Sequence, residues 1–186
     1  LVPIKGVDVA IDAMTHVGTN IELVIAGDGP ERAALESRVA RIAPSSSRAH
    51  VARDRAAPGQ RDPVERVHFV GQLDATARDE LLGRASLVVV PSRVLPNGRS
   101  EGTPLVALEA LAAGVPVIAS DVGGLRELDA IVRVPPDDPR ALAAAIDRVL
   151  ASPPDGDELR ASISHLSWPR VAQRLLDFTL DRLVRA

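Results

Sequence analysis

Short runs rich in Val and Ile recur along this chain, and each is followed by a longer segment whose apolar residues repeat with the period of a helix. A parallel sheet covered by helices buries both patterns at once, because each parallel strand is shielded on its faces and returns through a helix. The spacing predicts a helix over Gly6 to Val17, with Val7, Ala10, Ile11 and Met14 on one face, and then a fully buried strand over Ile21 to Ala26. After the turn Gly27-Asp28-Gly29-Pro30, Ala33, Leu35 and Val39 carry a helix to about Ile42. Val67 to Val70 reads as the next strand, Asp74 as the cap of a helix to about Ala85, and Leu87 to Val90 as the strand after it. A helix over Pro104 to Ala113 stops at Gly114 and gives way to a strand over Val115 to Ala119. Gly123-Gly124 breaks the chain before a short helix, Ile131 to Val134 is the last strand, and Pro139 to Leu150 is an alanine-rich amphipathic helix. Asp157 to Ser164 and Pro169 to Val184 follow as helices, the second with Val171, Leu175, Leu176, Leu180 and Leu183 on one stripe. The expected class is α/β.

Bulk properties narrow the partners. At 186 residues and 46% hydrophobic composition, the chain buries one core of single-domain size. Its formal charge of -3 supplies no basic field, so neither nucleic acid nor an anionic membrane is an expected partner. The absence of cysteine rules out disulfides, a thiolate nucleophile and thiolate metal sites. His16, His50, His68 and His165 lack ligand-like spacing, so no metal is expected. No run approaches the roughly 20 apolar residues that span a bilayer. Pro44 to Pro63, rich in Ser, Ala, Arg and Pro without an apolar period, reads as a flexible surface insertion.

The chemistry concentrates in Ser100 to Gly124, which joins a strand end, a helix and a second strand. Glu101 falls in the loop beyond the Leu87 to Val90 strand, at the edge where ligands dock on open parallel sheets. Gly102 permits close approach to the backbone, and the amides of Thr103, Leu105 and Val106, left unpaired by a helix start, favour an anion such as a diphosphate. Pro104 has no amide to offer. Glu109 lies among Leu105, Val106, Leu108 and Leu111 in an otherwise apolar helix, where an isolated carboxylate needs a partner. Two carboxylates so spaced suit opposite ends of a nucleotide-sugar, each accepting charge-assisted hydrogen bonds from vicinal hydroxyls. An exposed loop charge and a solvated helix residue are the plainer alternatives.

With Lys5-Gly6, Gly27-Asp28-Gly29-Pro30, Val67-His68-Phe69-Val70-Gly71, Val90-Pro91-Ser92 and Ser120-Asp121 to Gly124 around it, this stretch resembles the E-x7-E signature of retaining glycosyltransferases. The resemblance is to enzymes of GT-B architecture, specifically glycosyltransferase family 4 of the glycosyl group 1 enzymes, and it covers nearly the whole chain. It implies a Rossmann-like parallel sheet flanked by helices over residues 1–166, the carboxyl-terminal, donor-binding half of a two-domain fold. Residues 167–186 resemble the family's terminal helix, which commonly crosses back onto the amino-terminal domain; packing on this domain's own sheet is the alternative. By position, the resemblance implies that Glu101 is the catalytic candidate holding donor-sugar hydroxyls and that Glu109 holds the ribose hydroxyls. It further implies that the backbone of Gly102, Thr103, Pro104, Leu105 and Val106 faces the sugar and diphosphate, that Lys5 binds phosphate, and that Gly71, Gln72 and Leu73 line the base. A solvated lysine and a structural turn are the alternatives for Lys5 and Gly71, and Arg93 reads either as a phosphate partner or as a surface charge. The implied reaction transfers a sugar from a nucleoside diphosphate with retained configuration. Cationic side chains and a helix N-terminus stabilise the departing diphosphate, and no cofactor or metal is called for.

Family members carry, ahead of the residues matching Leu1 to Gly6, a central strand ending in a glycine-arginine pair whose arginine binds the diphosphate. Neither is in this sequence, nor is an amino-terminal acceptor domain. The expectation is a part of a longer protein, beginning without Met and inactive by itself, whose partners are a nucleotide-sugar donor, that amino-terminal domain and an acceptor that is a sugar, a lipid-linked sugar or a small molecule. The expected location is cytoplasmic, with any peripheral membrane attachment made through the other half. A non-catalytic nucleotide-sugar-binding module and a nucleotide-sugar epimerase are the rival readings; Glu101 and Glu109 at family spacing favour the transferase.

Overall fold

In the computed structural model, residues 1–42, 63–167, 169–173 and 176–177 are described. Five strands form among them, β1 (Leu23–Ala26), β2 (Val67–Gly71), β3 (Val88–Val90), β4 (Val117–Ser120) and β5 (Val132–Val134). The helices before, between and after them are α1 (Val7–Ala13), α2 (Arg32–Ile42), α3 (Ala75–Arg84), α4 (Leu105–Ala113), α5 (Pro139–Ala151) and α6 (Gly156–Ser162). Local chemistry sets several of the boundaries. Asp74 accepts from the Ala77 amide at 2.8 Å, Asp138 from Ala141 at 2.9 Å, and Asp155 from Asp157 at 2.7 Å, each a side-chain cap typically contributing about 1 kcal/mol. Gly114 closes α4 in the left-handed conformation, at φ 76°.

All strand pairings are parallel, but they fall into two ladders, β1-β2 and β3-β4-β5, with no pairing between β1 and β3 among the described residues. Both ladders rest on one helical layer: Ile25 and Val67 from the first, and Ile118 and Val134 from the second, pack with Ile11 and Ala13 of α1 and Leu142 and Ile146 of α5. Alternation along β4 sends Val117 and Ala119 to the other face, against Ala107, Ala110 and Leu111 of α4 and Leu159 of α6. Helices therefore flank β4 on both sides, and Val117, Ile118, Ala119 and Ser120 are all buried.

β1 corrects the expectation of a fully buried strand. Only Ile25 is buried, while Val24 is 38% exposed and Ala26 is exposed as well. A continuous apolar run is buried throughout only where both faces are covered; Leu23 and Ile25 meet the α1 and α2 side, and no described element covers Val24. α1 also ends earlier than its apolar period, at Ala13. The amides of Met14, Thr15 and His16 turn back to the carbonyls three residues before them, and the Thr15 hydroxyl donates to the Asp12 carbonyl at 2.8 Å.

Two arginines brace this end of the molecule. Arg38 of α2 forms a two-point ion pair with Asp12 of α1, and that hydrogen bonding raises the guanidinium pKa further above its ordinary value. Arg66, buried just ahead of β2, donates to the carbonyls of Met14 at 2.8 Å, Gly18 at 3.0 Å and Ile21 at 3.2 Å. It thus ties the loop after α1 to the start of β2.

The Pro44 to Pro63 insertion lies outside the described residues except for Pro63, which opens a short 3-10 turn to Arg66. Of the expected terminal helix, residues 169–173 and 176–177 are helical and the rest lie outside the described residues. No helix among the described residues is long and apolar enough to cross a membrane.

Candidate functional site

The carboxyl ends of β1 and β3 are joined by the segment Leu1 to Gly6. The Leu1 carbonyl accepts from Glu31 at 3.2 Å, beyond β1, and the Ile4 carbonyl accepts from Arg93 at 3.0 Å, beyond β3. Gly6 has φ 60°, and a Cβ there would collide with the Pro91 carbonyl, so only glycine lets this turn seat against the end of β3. That seating decides where Lys5 points. Its ammonium donates to Glu101 Oε1, while the buried hydroxyl of Ser92, two residues past β3, donates to Glu101 Oε2. The Glu101 side chain is 14% exposed, against 45% for Lys5. Both carboxylate oxygens are held, and each retains a further lone pair with which to accept a hydroxyl.

Arg93 is held by carboxylates on two sides. Its guanidinium lies 2.9 Å from both Asp8 carboxylate oxygens and 2.8 Å from Asp137, so it is a half-buried clamp joining the end of β3 to the start of α1 and the approach to α5. Asp137 takes the left-handed conformation there, at φ 56°, which aspartate tolerates better than most residues.

The loop carrying Glu101 rests on the glycine pair after β4. A Cβ on Gly123, whose φ is 51°, would collide with the Glu101 carbonyl, and one on Gly124 would lie 2.6 Å from Thr103 Oγ1 and 2.9 Å from the Gly102 carbonyl carbon. A Cβ on Gly102 itself would meet nothing within 4 Å, so the open side of that residue faces away from the protein. Pro104 is the N-cap of α4 and brings no side-chain cap, and the amides of Thr103, Leu105 and Val106 have no acceptor among the described residues. Leu105 and Val106 are 73% and 37% exposed.

Glu109 finds the partner its apolar helix calls for in Arg78 of α3, whose Nη1 lies 3.2 Å from Oε1. Gly71 ends β2 in the left-handed conformation, at φ 73°, and its carbonyl accepts from the Gly27 amide at 2.6 Å, which supports a turn role for that residue. Gln72 is exposed and Leu73 half-buried. Arg32 stacks over Phe69 nearby, 5.8 Å from the ring centre. Lys5, Glu101, Gly102 and Thr103 are thus brought into one cluster, whereas Glu109 and the Gly71 to Leu73 turn have no hydrogen bond or ion pair to it among the described residues. Ser92, Arg78 and the supporting role of Gly123-Gly124 are what the sequence pattern leaves unassigned. A hydroxyl residue directly after the Pro that ends β3 is the available signal for the first. The cluster offers a fixed carboxylate, an ammonium and a row of free amides at a helix start, groups suited to hydroxyls and an anion.

Residues 1–152 match the family model described as glycosyl transferases group 1. Among curated relatives, glycogen synthase from Mycobacterium tuberculosis is 37% identical over 160 residues, covering 80% of this chain and 32% of that protein. D-inositol 3-phosphate glycosyltransferase from Jonesia denitrificans is 30% identical over 182 residues, covering 94% of this chain and 39% of that protein. The chain therefore spans between about a third and two-fifths of the length of these relatives. Among solved structures, HepE of Anabaena in complex with UDP superposes with a TM-score of 0.74 at 20% identity, over 97% of this chain and 46% of that one. The same protein has also been solved with UDP-glucose.

Proposed function

The chain belongs to the glycosyl transferases group 1 family, and on that premise we propose that it forms the donor-binding half of a retaining, metal-independent transferase that moves a sugar from a nucleoside diphosphate to an acceptor. The observation that carries this reading is the pairing of Lys5 with Glu101 at the strand edge, beside the free amides that open α4. In this reading Glu101 receives donor-sugar hydroxyls and Lys5, more exposed than its partner, turns to the diphosphate. The α4 amides of Leu105 and Val106, with the positive end of that helix, add to the stabilisation of the departing diphosphate. Glu109 takes the ribose hydroxyls, and Gly71, Gln72 and Leu73 border the base. The UDP and UDP-glucose complexes of HepE, a protein of like fold, support a nucleotide-sugar as the donor class. The acceptor is read by an amino-terminal domain, as in a two-domain transferase.

Calorimetric titration of the two-domain protein that contains this chain with UDP, GDP and ADP, each with magnesium and with EDTA, tests the reading. Binding of at least one diphosphate, unchanged by EDTA, is the expected outcome. Failure of all three to bind sinks the donor site, and binding only with magnesium sinks its metal independence.

A further inference from the structure

We propose that Ser92 is a positioning residue that holds Glu101 in its sugar-receiving orientation while Lys5 attends to the diphosphate; the proposal rests on the donor-site reading above. Glu101 belongs to a loop with no regular secondary structure, and its side chain has several rotatable bonds, so its orientation must be imposed from outside. Two groups impose it. Lys5 holds Oε1, but it is flexible, 45% exposed and positively charged, so an arriving diphosphate competes with Glu101 for it.

Ser92 differs in each respect. It follows β3 by two residues, where the ladder to β4 fixes the backbone as far as Val90 opposite Ala119, and it has no exposed surface. A hydroxyl so buried has to be bonded, and its single proton is committed to Glu101 Oε2. Being neutral and enclosed, it is not drawn off by a phosphate. The division follows from charge and burial: loss of Lys5 weakens nucleotide and sugar together, whereas loss of Ser92 weakens only what Glu101 contributes, which is the sugar's increment over the bare nucleotide.

The experiment compares the wild-type two-domain protein that contains this chain with its Ser92→Ala variant. The ligands are the tightest-binding of UDP, GDP and ADP and the tightest-binding of its conjugates with glucose, galactose, mannose and N-acetylglucosamine. Ser92→Ala is expected to bind the bare diphosphate within about twofold of wild type and the sugar conjugate about tenfold more weakly, the loss typical of one hydrogen bond to a charged group. Ser92→Cys, nearly isosteric and a weaker donor, should fall between, and it serves as the test where the alanine variant does not fold. In a Glu101→Gln background the effect of Ser92→Ala on the conjugate should largely vanish. Equal losses for both ligands, or no selective loss for the conjugate, overturn the positioning role while leaving the donor site standing. If wild type binds no diphosphate, the donor-site reading falls and the proposal with it.

Discussion

The pair formed by Glu109 and Arg78 permits a sharp separation of support from ligand binding. Their nearest atoms are 3.2 Å apart, but the side chains are 32% and 43% exposed, so the pair lies in the range of surface salt bridges, which contribute about 0–1 kcal/mol. Removing either partner should lower stability by no more than about 1 kcal/mol, about 2–4 °C in melting temperature for a domain near this size. Binding behaves differently if Glu109 accepts ribose hydroxyls. Loss of charge-assisted hydrogen bonds there costs roughly 1.5–3 kcal/mol, an affinity decrease of about 10- to 150-fold. Arg78→Ala leaves the Glu109 carboxylate in place and gives up only surface pairs, with Glu109 and with its neighbour Asp79, so its effect on nucleotide affinity should stay within about fivefold. Thermal unfolding of both variants, with calorimetric titration of the diphosphate that wild type binds best, measures all four quantities. Wild-type affinity in Glu109→Ala would refute the ribose assignment. An equal loss in Arg78→Ala would show that the intact pair, rather than a free carboxylate, is what binding requires.

The glycines around Glu101 should respond in opposite ways. Gly123→Ala forces a side chain into the left-handed region and against the Glu101 carbonyl, and should lower stability by about 2–4 kcal/mol together with donor affinity; Gly102→Ala meets nothing within 4 Å and should leave the melting temperature within about 2 °C while weakening donor binding. Gly83 lies inside α3 with open space around it, so Gly83→Ala should raise stability by about 0.5–1 kcal/mol in urea unfolding and leave binding unchanged. Arg66→Met keeps an apolar stem but removes the buried donor to the Met14 carbonyl and the donors to Ile21 and Gly18, of which Gly18 keeps the Ile21 amide, and urea unfolding should report a loss of about 2–3 kcal/mol. A loss below about 1 kcal/mol would mean that the loop after α1 finds other donors.

What can be read from the residues alone is set by distance along the chain. The caps at Asp74 and Asp138, the glycine end of α4 and the alternation of strands with helices are all decided within a few positions, and each stands in the structure where its local chemistry puts it. The burial of β1 is overstated by its residues because an apolar run says that a strand can be covered on both faces, not that covering elements exist. The same limit applies inside the site. Glu101 and Glu109 are conspicuous as carboxylates at a strand edge and in an otherwise apolar helix, yet the partners come from elsewhere: Lys5 from the turn before α1, Ser92 from the end of β3, Arg78 from α3. Gly123-Gly124 looks like a simple chain break, and its purpose emerges only when the Glu101 carbonyl and Thr103 are found against it. A pattern of acceptors is therefore visible in one stretch of chain, whereas the donors that orient those acceptors are assembled by the fold. The orientation of Glu101 is accordingly the property most exposed to substitutions far from its own motif, at Gly6, Ser92 and Gly123, and those positions should tolerate change least among residues that never touch a ligand.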